Sequence, residues 1–221
     1  IDRSRGLGDV YKRQVLINFS SSRLELLLSE RLDLKDEPEK QKVIDQRIWD
    51  LFGEQWCIMF TDLSGFSKNA ERFGIIHFLQ TIKEAEKIYT PVVKNYDGFV
   101  AKTDGDSLIV IFRSSEKAVK CAVEMQRVSA SYNKGLNLED QIILCCGLGW
   151  GKILRVPGYT SDVFGEEVNF SAKLGEDVAE GGEILITEAL ANNLPEIEGV
   201  SMTEVGLLSK NNKPYFKLIY E

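Results

Sequence analysis

Trp56-Cys-Ile-Met-Phe-Thr61 is an unbroken apolar run of strand length, which predicts a buried strand closed by Asp62. Leu63-Ser-Gly-Phe66 follows, and then a helical stretch through Tyr89. Phe99–Thr103 and Ser107–Phe112 are further apolar runs flanking Asp104-Gly105, a dipeptide that signals a two-residue hairpin turn. The spacing of Ala118, Val119, Ala122, Val123 and Met125 predicts a helix over Ser115–Tyr132. Gln141–Trp150 reads as a strand, with Gly151–Val156 as its hairpin partner. A helix from Phe164-Gly165 to about Ala179, a strand at Ile184–Thr187, a short helix and a final strand near Tyr215–Tyr220 complete the order. Strands alternate with helices but hairpins interrupt them, which predicts an α+β fold with a mostly antiparallel central sheet flanked by helices.

Upstream, Leu24–Leu32 carries leucines with interleaved charges in a helical pattern. A second helical stretch runs through Val43–Trp49 and stops at Gly53. Residues 1–14 resemble translated adaptor sequence and are set aside from fold reasoning. That leaves 15–54 as a helical connector, 55–221 as the domain proper, and the expectation that the natural chain extends further upstream. No apolar run approaches the ~18 residues of a membrane span, and no secretory signal opens the chain.

Charge narrows the chemistry. With 27 basic and 34 acidic residues in 221, the net charge of −7 repels phosphate backbones and disfavours nucleic acid as a partner. An anionic substrate then needs local cations or bound metal. The single histidine, His77, excludes three-histidine zinc sites. It lies in an apolar, helical stretch and reads as a packing or helix-surface residue rather than a triad member. Cys57, Cys121, Cys145 and Cys146 have no C-x-x-C spacing, which fits a reduced cytoplasmic setting.

Asp62 ends a buried strand and Asp106 follows the hairpin turn 44 residues later, so a hairpin paired beside the first strand brings both carboxylates to one sheet edge. Converging carboxylates repel unless a divalent cation joins them. Each is equally readable as a cap or a turn former. Ser64-Gly65 adds backbone amides at a helix start, the chemistry of a phosphate cradle.

Phe60-Thr-Asp-Leu-Ser-Gly-Phe66, Lys102-Thr-Asp-Gly-Asp-Ser107 and Asp162-Val-Phe-Gly-Glu-Glu-Val-Asn-Phe-Ser-Ala-Lys173 together resemble the catalytic domain of class III adenylyl and guanylyl cyclases, in the family's order and spacing from about Gln55 onward. The resemblance implies the family's ferredoxin-like fold and two Mg²⁺ or Mn²⁺ ions on Asp62, Asp106 and the Leu63 carbonyl. Ser64, Gly65 and Phe66 would lie at the phosphates. It also implies that Lys102 and Asp162 read the base. Lysine only donates and an ionised aspartate only accepts, and in the family this pair selects adenine, hence ATP.

Asn169 and Lys173 are four residues apart and share a helix face. In the family such an asparagine orients the ribose and an arginine four residues on contacts the α-phosphate. Here Lys173 keeps the charge but lacks the planar fork. Relatives also carry a lysine against the triphosphate near the chain's end, a role open to Lys210 or Lys213. The family's site forms across a dimer, so a homodimer with two shared sites is implied, with the helices of residues 22–53 as transmitter from an upstream sensor or as plain packing helices. An adenylyl cyclase is the leading expectation. A catalytically weak, nucleotide-binding dimerisation module is the rival, and a two-metal phosphodiesterase is a distant third.

Overall fold

The computed structural model describes residues 22–64, 74–155, 163–208 and 212–220. They divide into two compact units. One takes the described residues up to Glu54 with those between Ile153 and Phe164. The other takes Gln55–Lys152 and the described residues from Gly165 onward.

In the first unit, helix α1 (residues 22–33) is followed by α2 (Pro38–Phe52). Pro38 sits at the first turn of α2, where its missing N–H costs nothing, and Gly53 ends the helix in extended backbone. Leu24, Leu27, Ile44 and Ile48 form the apolar seam, with Leu34, Phe52 and Leu154 packed on it. Arg31 Nη2 donates to Asp45 Oδ2 at 3.1 Å, tying α1 to α2.

The second unit is built on a seven-stranded sheet. In chain order its elements are β1 (Gly53–Leu63), α3 (Ile75–Asn95), β2 (Phe99–Asp104), β3 (Ser107–Phe112), α4 (Ser115–Tyr132), β4 (Leu144–Leu154), α5 (Glu166–Ala172), β5 (Ile184–Thr187), α6 (Glu188–Ala191), β6 (Val200–Leu208) and β7 (Lys213–Tyr220). The strand order is β2-β3-β1-β4-β5-β7-β6. β1–β3, β2–β3, β5–β7 and β6–β7 are antiparallel and β4–β5 is parallel, so the sheet is mostly antiparallel, as the hairpins predicted. Cys57, Ile58 and Met59 of β1 and Val110 and Ile111 of β3 are fully buried, so the central strands carry apolar side chains on both faces. Tyr89 and Ser129 share a hydrogen bond of 2.6 Å between α3 and α4, and Gln126 Nε2 donates to Leu144 O at 3.0 Å, which fixes α4 over β4.

Four expectations are corrected. Gln141–Val156 is not a hairpin: β4 runs unbroken from Leu144 to Leu154, because glycines at 147, 149 and 151 alternate within one strand instead of turning it. The turn between β2 and β3 is Gly105-Asp106, closed by the Asp104↔Ser107 pair, with Gly105 supplying the positive φ of 59°. The α3 helix continues past Tyr89 to Asn95 and takes Pro91 within it. β6 escaped the sequence pattern because it is an edge strand whose side chains from Ser201 to Val205 are all exposed, leaving no buried face to impose an alternation. Its bulge between Glu204 and Gly206 breaks the ladder with β7.

Candidate active site

Register sets the first half of the site. Thr61 pairs with Leu108 across β1–β3, so the chain ends that follow bring Asp62 beside Ser107 and the turn residue Asp106. Ser107 Oγ lies 3.4 Å from Asp62 Oδ1, and Leu108 N–H donates to Thr61 Oγ1 at 3.1 Å, locking the pair at its last rung. Burial, and after it the charge of Asp106, push the Asp62 carboxyl up to about 6 against hydrogen bonds from the Leu63 amide and Ser107. Glu176 adds its charge to the same field, and burial together with Asp177, Asp104 and Asp106 raises its own carboxyl. Among the described residues neither Asp62, Asp106 nor Glu176 has a basic side chain in an ion pair.

These are hard oxygen donors in a field of negative charge, which suits a divalent cation such as Mg²⁺ or Mn²⁺. Among the described residues no three His, Cys, Asp or Glu side chains are placed to hold one ion, so the donor set that fits is the two aspartates with a main-chain oxygen such as that of Leu63.

Lys102 lies on β2 just beyond a bulge: Val100 pairs with Val110 but Lys102 with Ile109, leaving Ala101 as the extra residue. A bulge reverses the alternation of faces, and so re-aims the side chains from Lys102 onward. Lys102 Nζ sits 3.3 Å from Asp104 Oδ2. Asp162, Gly65 and Phe66 lie outside the described residues, as does Lys210. Ser64 carries a correction: its N–H, expected to face phosphate, donates to Ile143 O at 2.8 Å and is already engaged by the main chain.

The other candidate residues lie on and just after α5. Asn169 is exposed on it, and Lys173 follows one turn later, at the point where the helix becomes π-wound over Lys173–Val178. Lys213 Nζ is 3.3 Å from Glu166 Oε1 and 4.8 Å from the centre of the Phe170 ring, so it is engaged at the start of α5.

The sequence reading missed Glu167. Its carboxyl is buried beneath α5, accepts a hydrogen bond from Thr187 Oγ1 at 2.7 Å, and is held above the ordinary glutamate range chiefly by burial. Two adjacent glutamates at a helix start look solvated, so nothing in the pattern singled it out. A legible signal was the spacing Gly147, Gly149, Gly151, since glycines at period two in a strand mark a close approach on one face. A Cβ on Gly149 would stand 2.5 Å from Ser171 Oγ and 2.7 Å from Glu167 Oε2, and one on Gly151 would stand 2.5 Å from Glu167 Cγ. This face of β4 is bare so that α5 can lie on it.

Comparison with known proteins shows the family and the fold. The family described as adenylate and guanylate cyclase catalytic domain matches residues 53–216, and the chain belongs to it. "Serine/threonine-protein kinase pkn2" of Myxococcus xanthus is 29% identical over 158 residues, covering 71% of this chain and 19% of that protein. "Putative adenylate cyclase 3" of Rhizobium meliloti strain 1021 is 30% identical over 134 residues, covering 61% of this chain and 22% of that protein. The chain thus spans about a fifth of the length of these relatives. The crystal structure of an adenylate/guanylate cyclase/hydrolase from Silicibacter pomeroyi has the same fold, with a TM-score of 0.66 and 21% identity over 76% of this chain and 98% of that one. Among the described residues no helix is long and apolar enough to cross a membrane.

Proposed function

We propose that the chain is an adenylyl cyclase that converts ATP to cyclic AMP and pyrophosphate as a homodimer with shared sites. The observation that carries the reading is the convergence of Asp62 and Asp106 at the end of β1, with no basic partner among the described residues, inside a domain of the cyclase family. The ribose 3′-oxygen attacks the α-phosphorus in line. The new P–O bond closes the ring, the bond to the β-phosphate oxygen breaks, pyrophosphate leaves and the hydroxyl proton passes to solvent. Two divalent ions, when held by Asp62, Asp106 and the Leu63 carbonyl, supply the Lewis acidity that lowers the hydroxyl's pKa and offsets the triphosphate charge.

The chain's own residues then bind and orient. Gly65 and Phe66 offer backbone amides to the phosphates, Asn169 orients the ribose, and Lys173 sets a positive charge at the α-phosphate as it becomes pentavalent. Lys102 and Asp162 read adenine through a donor and an acceptor that guanine would mismatch. Residues 15–54 serve as the connector from an upstream sensor and 55–221 as the catalytic domain. The four cysteines, free and buried, suit the reducing cytoplasm.

Lysine in place of the family's arginine at 173 supports a second reading, a weak cyclase kept as a nucleotide-binding regulatory module. One experiment separates them. The purified chain is incubated with Mn-ATP and, in parallel, Mn-GTP, and cyclic nucleotide is measured. Cyclic AMP from ATP, lost in Asp62→Ala at unchanged melting temperature, is the expected result. Preferential use of GTP would overturn the adenine assignment, and ATP binding without any turnover would leave the regulatory reading in its place.

A further inference from the structure

The helix that carries Asn169 changes its winding at Lys173. From Lys173 to Val178 it is π-helical, and the Ala179 N–H donates to Leu174 O at 2.8 Å, a bond across five residues. A π turn takes in an extra residue and is rare as an isolated conformation, so something outside the helix must favour it here.

The turn lies in close backbone contact with two strands. A Cβ on Gly147 would lie 2.2 Å from Ser171 O and 2.4 Å from Gly175 N; one on Gly175 would lie 3.0 Å from Phe60 O and 3.1 Å from Gly147 N. The main chains of β1, β4 and the π turn therefore meet with no side chain between them. Phe60 is two residues ahead of Asp62, and Gly175 is two residues beyond Lys173. Both strands are held in the core at this level: Ile58, Met59, Cys146 and Leu148 are fully buried. Leu174, also fully buried, packs at the same contact: its Cβ would lie 2.9 Å from a Cβ on Gly147.

We propose that Gly147 and Gly175 are positioning residues: their backbone contact seats the π turn on β1 and β4 and thereby fixes where Lys173 stands relative to the nucleotide's α-phosphate. The inference rests on the role given to Lys173 above. A lysine on a flexible four-carbon stem needs its Cα placed accurately to act where a forked guanidinium would pre-organise itself. A backbone seat supplies that accuracy without packing any side chain near the phosphate.

Gly175→Ala is the probing variant, because its methyl would meet backbone at 3.0–3.1 Å and displace the turn by only a few tenths of an ångström. Alanine also favours helical backbone, so the melting temperature of the full chain should stay close to wild type. The expected result is a kcat lowered about tenfold with KM for Mn-ATP changed less, together with faster hydrogen exchange at the Ala179 amide. In a Lys173→Ala background, Gly175→Ala should lower kcat no further, since the residue through which it acts is gone.

An equal loss of kcat in both backgrounds, or an unchanged kcat with unchanged Ala179 exchange, would overturn the seat. These outcomes are distinct from failure of the underlying reading, in which Lys173→Ala alone leaves wild-type cyclic AMP production untouched and the positioning role falls with it. Should the alanine variant unfold, wild-type exchange at Ala179 against Asn192 decides the matter: protection at Ala179 no greater than at that surface helix end would overturn the seat.

Discussion

Asp62 and Asp106 are held differently from Asn169 and Lys173. Asp62 stands near the end of β1 behind the buried residues 57–61, and Asp106 in the turn that leads into β3, so their positions follow from the β1–β3 register and core packing. Asn169 and Lys173 stand on a helix of seven residues continued by a π turn, too short to be stable alone, and held down on a strip of β4 without side chains. One pair is placed by what the strands bury, the other by what the facing strand lacks. A charge change at the first should therefore spare the fold, whereas added volume beneath the second should not.

The largest expected effect comes from breaking both halves in turn. Asp62→Ala and Asn169→Ala should each abolish cyclic AMP formation as homodimers. Mixed and allowed to exchange subunits, they should recover one competent site, about half the wild-type activity per heterodimer. Activity is assayed after exchange is verified by native mass spectrometry. No recovery would show that the two halves act within one protomer.

Gly147→Ala tests the bare strip. Its methyl would press on backbone at 2.2 Å and 2.4 Å, which no side-chain rotation relieves. A loss of about 3 kcal/mol or more is expected, lowering the melting temperature by about 6–12 °C. Asp106→Ala, measured beside it by thermal melt, should lose little or even gain, because it removes a like charge from beside Asp62. A melt in which the aspartate variant loses as much as the glycine variant would erase the contrast.

Lys173→Arg sharpens the second half. If the ammonium faces the α-phosphate, restoring a bidentate donor should raise kcat by about tenfold for each 1.4 kcal/mol of recovered transition-state stabilisation, with less change in KM. Steady-state kinetics with Mn-ATP, read beside the melting temperature, separates this from overpacking.

The smallest effect is a pH dependence at Glu167. Burial holds its folded-state carboxyl above the ordinary value of 4.5, so the folded state keeps the proton longer than the unfolded chain does. Its contribution to stability is full below the unfolded value and is lost as pH rises through the folded one. Glu167→Gln, which keeps the shape and never ionises, should therefore gain on wild type between pH 4 and pH 7 in paired denaturant titrations. A constant difference across that range would show that Glu167 does not titrate on unfolding.

Much of this was legible in the chain itself. The buried β1 run, the α4 spacing and the turn chemistry around Gly105 are local: each follows from side-chain period or backbone permission within a few residues, and the carboxylates at 62 and 106 followed from them once β1 and β3 were paired. The three motifs brought the cyclase family into view for the same reason, being short segments whose chemistry is contiguous. What the tertiary structure alone decided is non-local. β6 has no buried face to announce it, so only its pairing with β7 makes it a strand. Ser64 looked free to bind phosphate until Ile143, some eighty residues away, took its amide. Glu167 reads as a surface acid, yet it is buried because Gly149 and Gly151 leave room for it. The π turn after Lys173 lies against the backbone of Gly147 and Phe60, a contact that α-helical spacing cannot register, since a helix's own pattern says nothing about the backbone it will be pressed against.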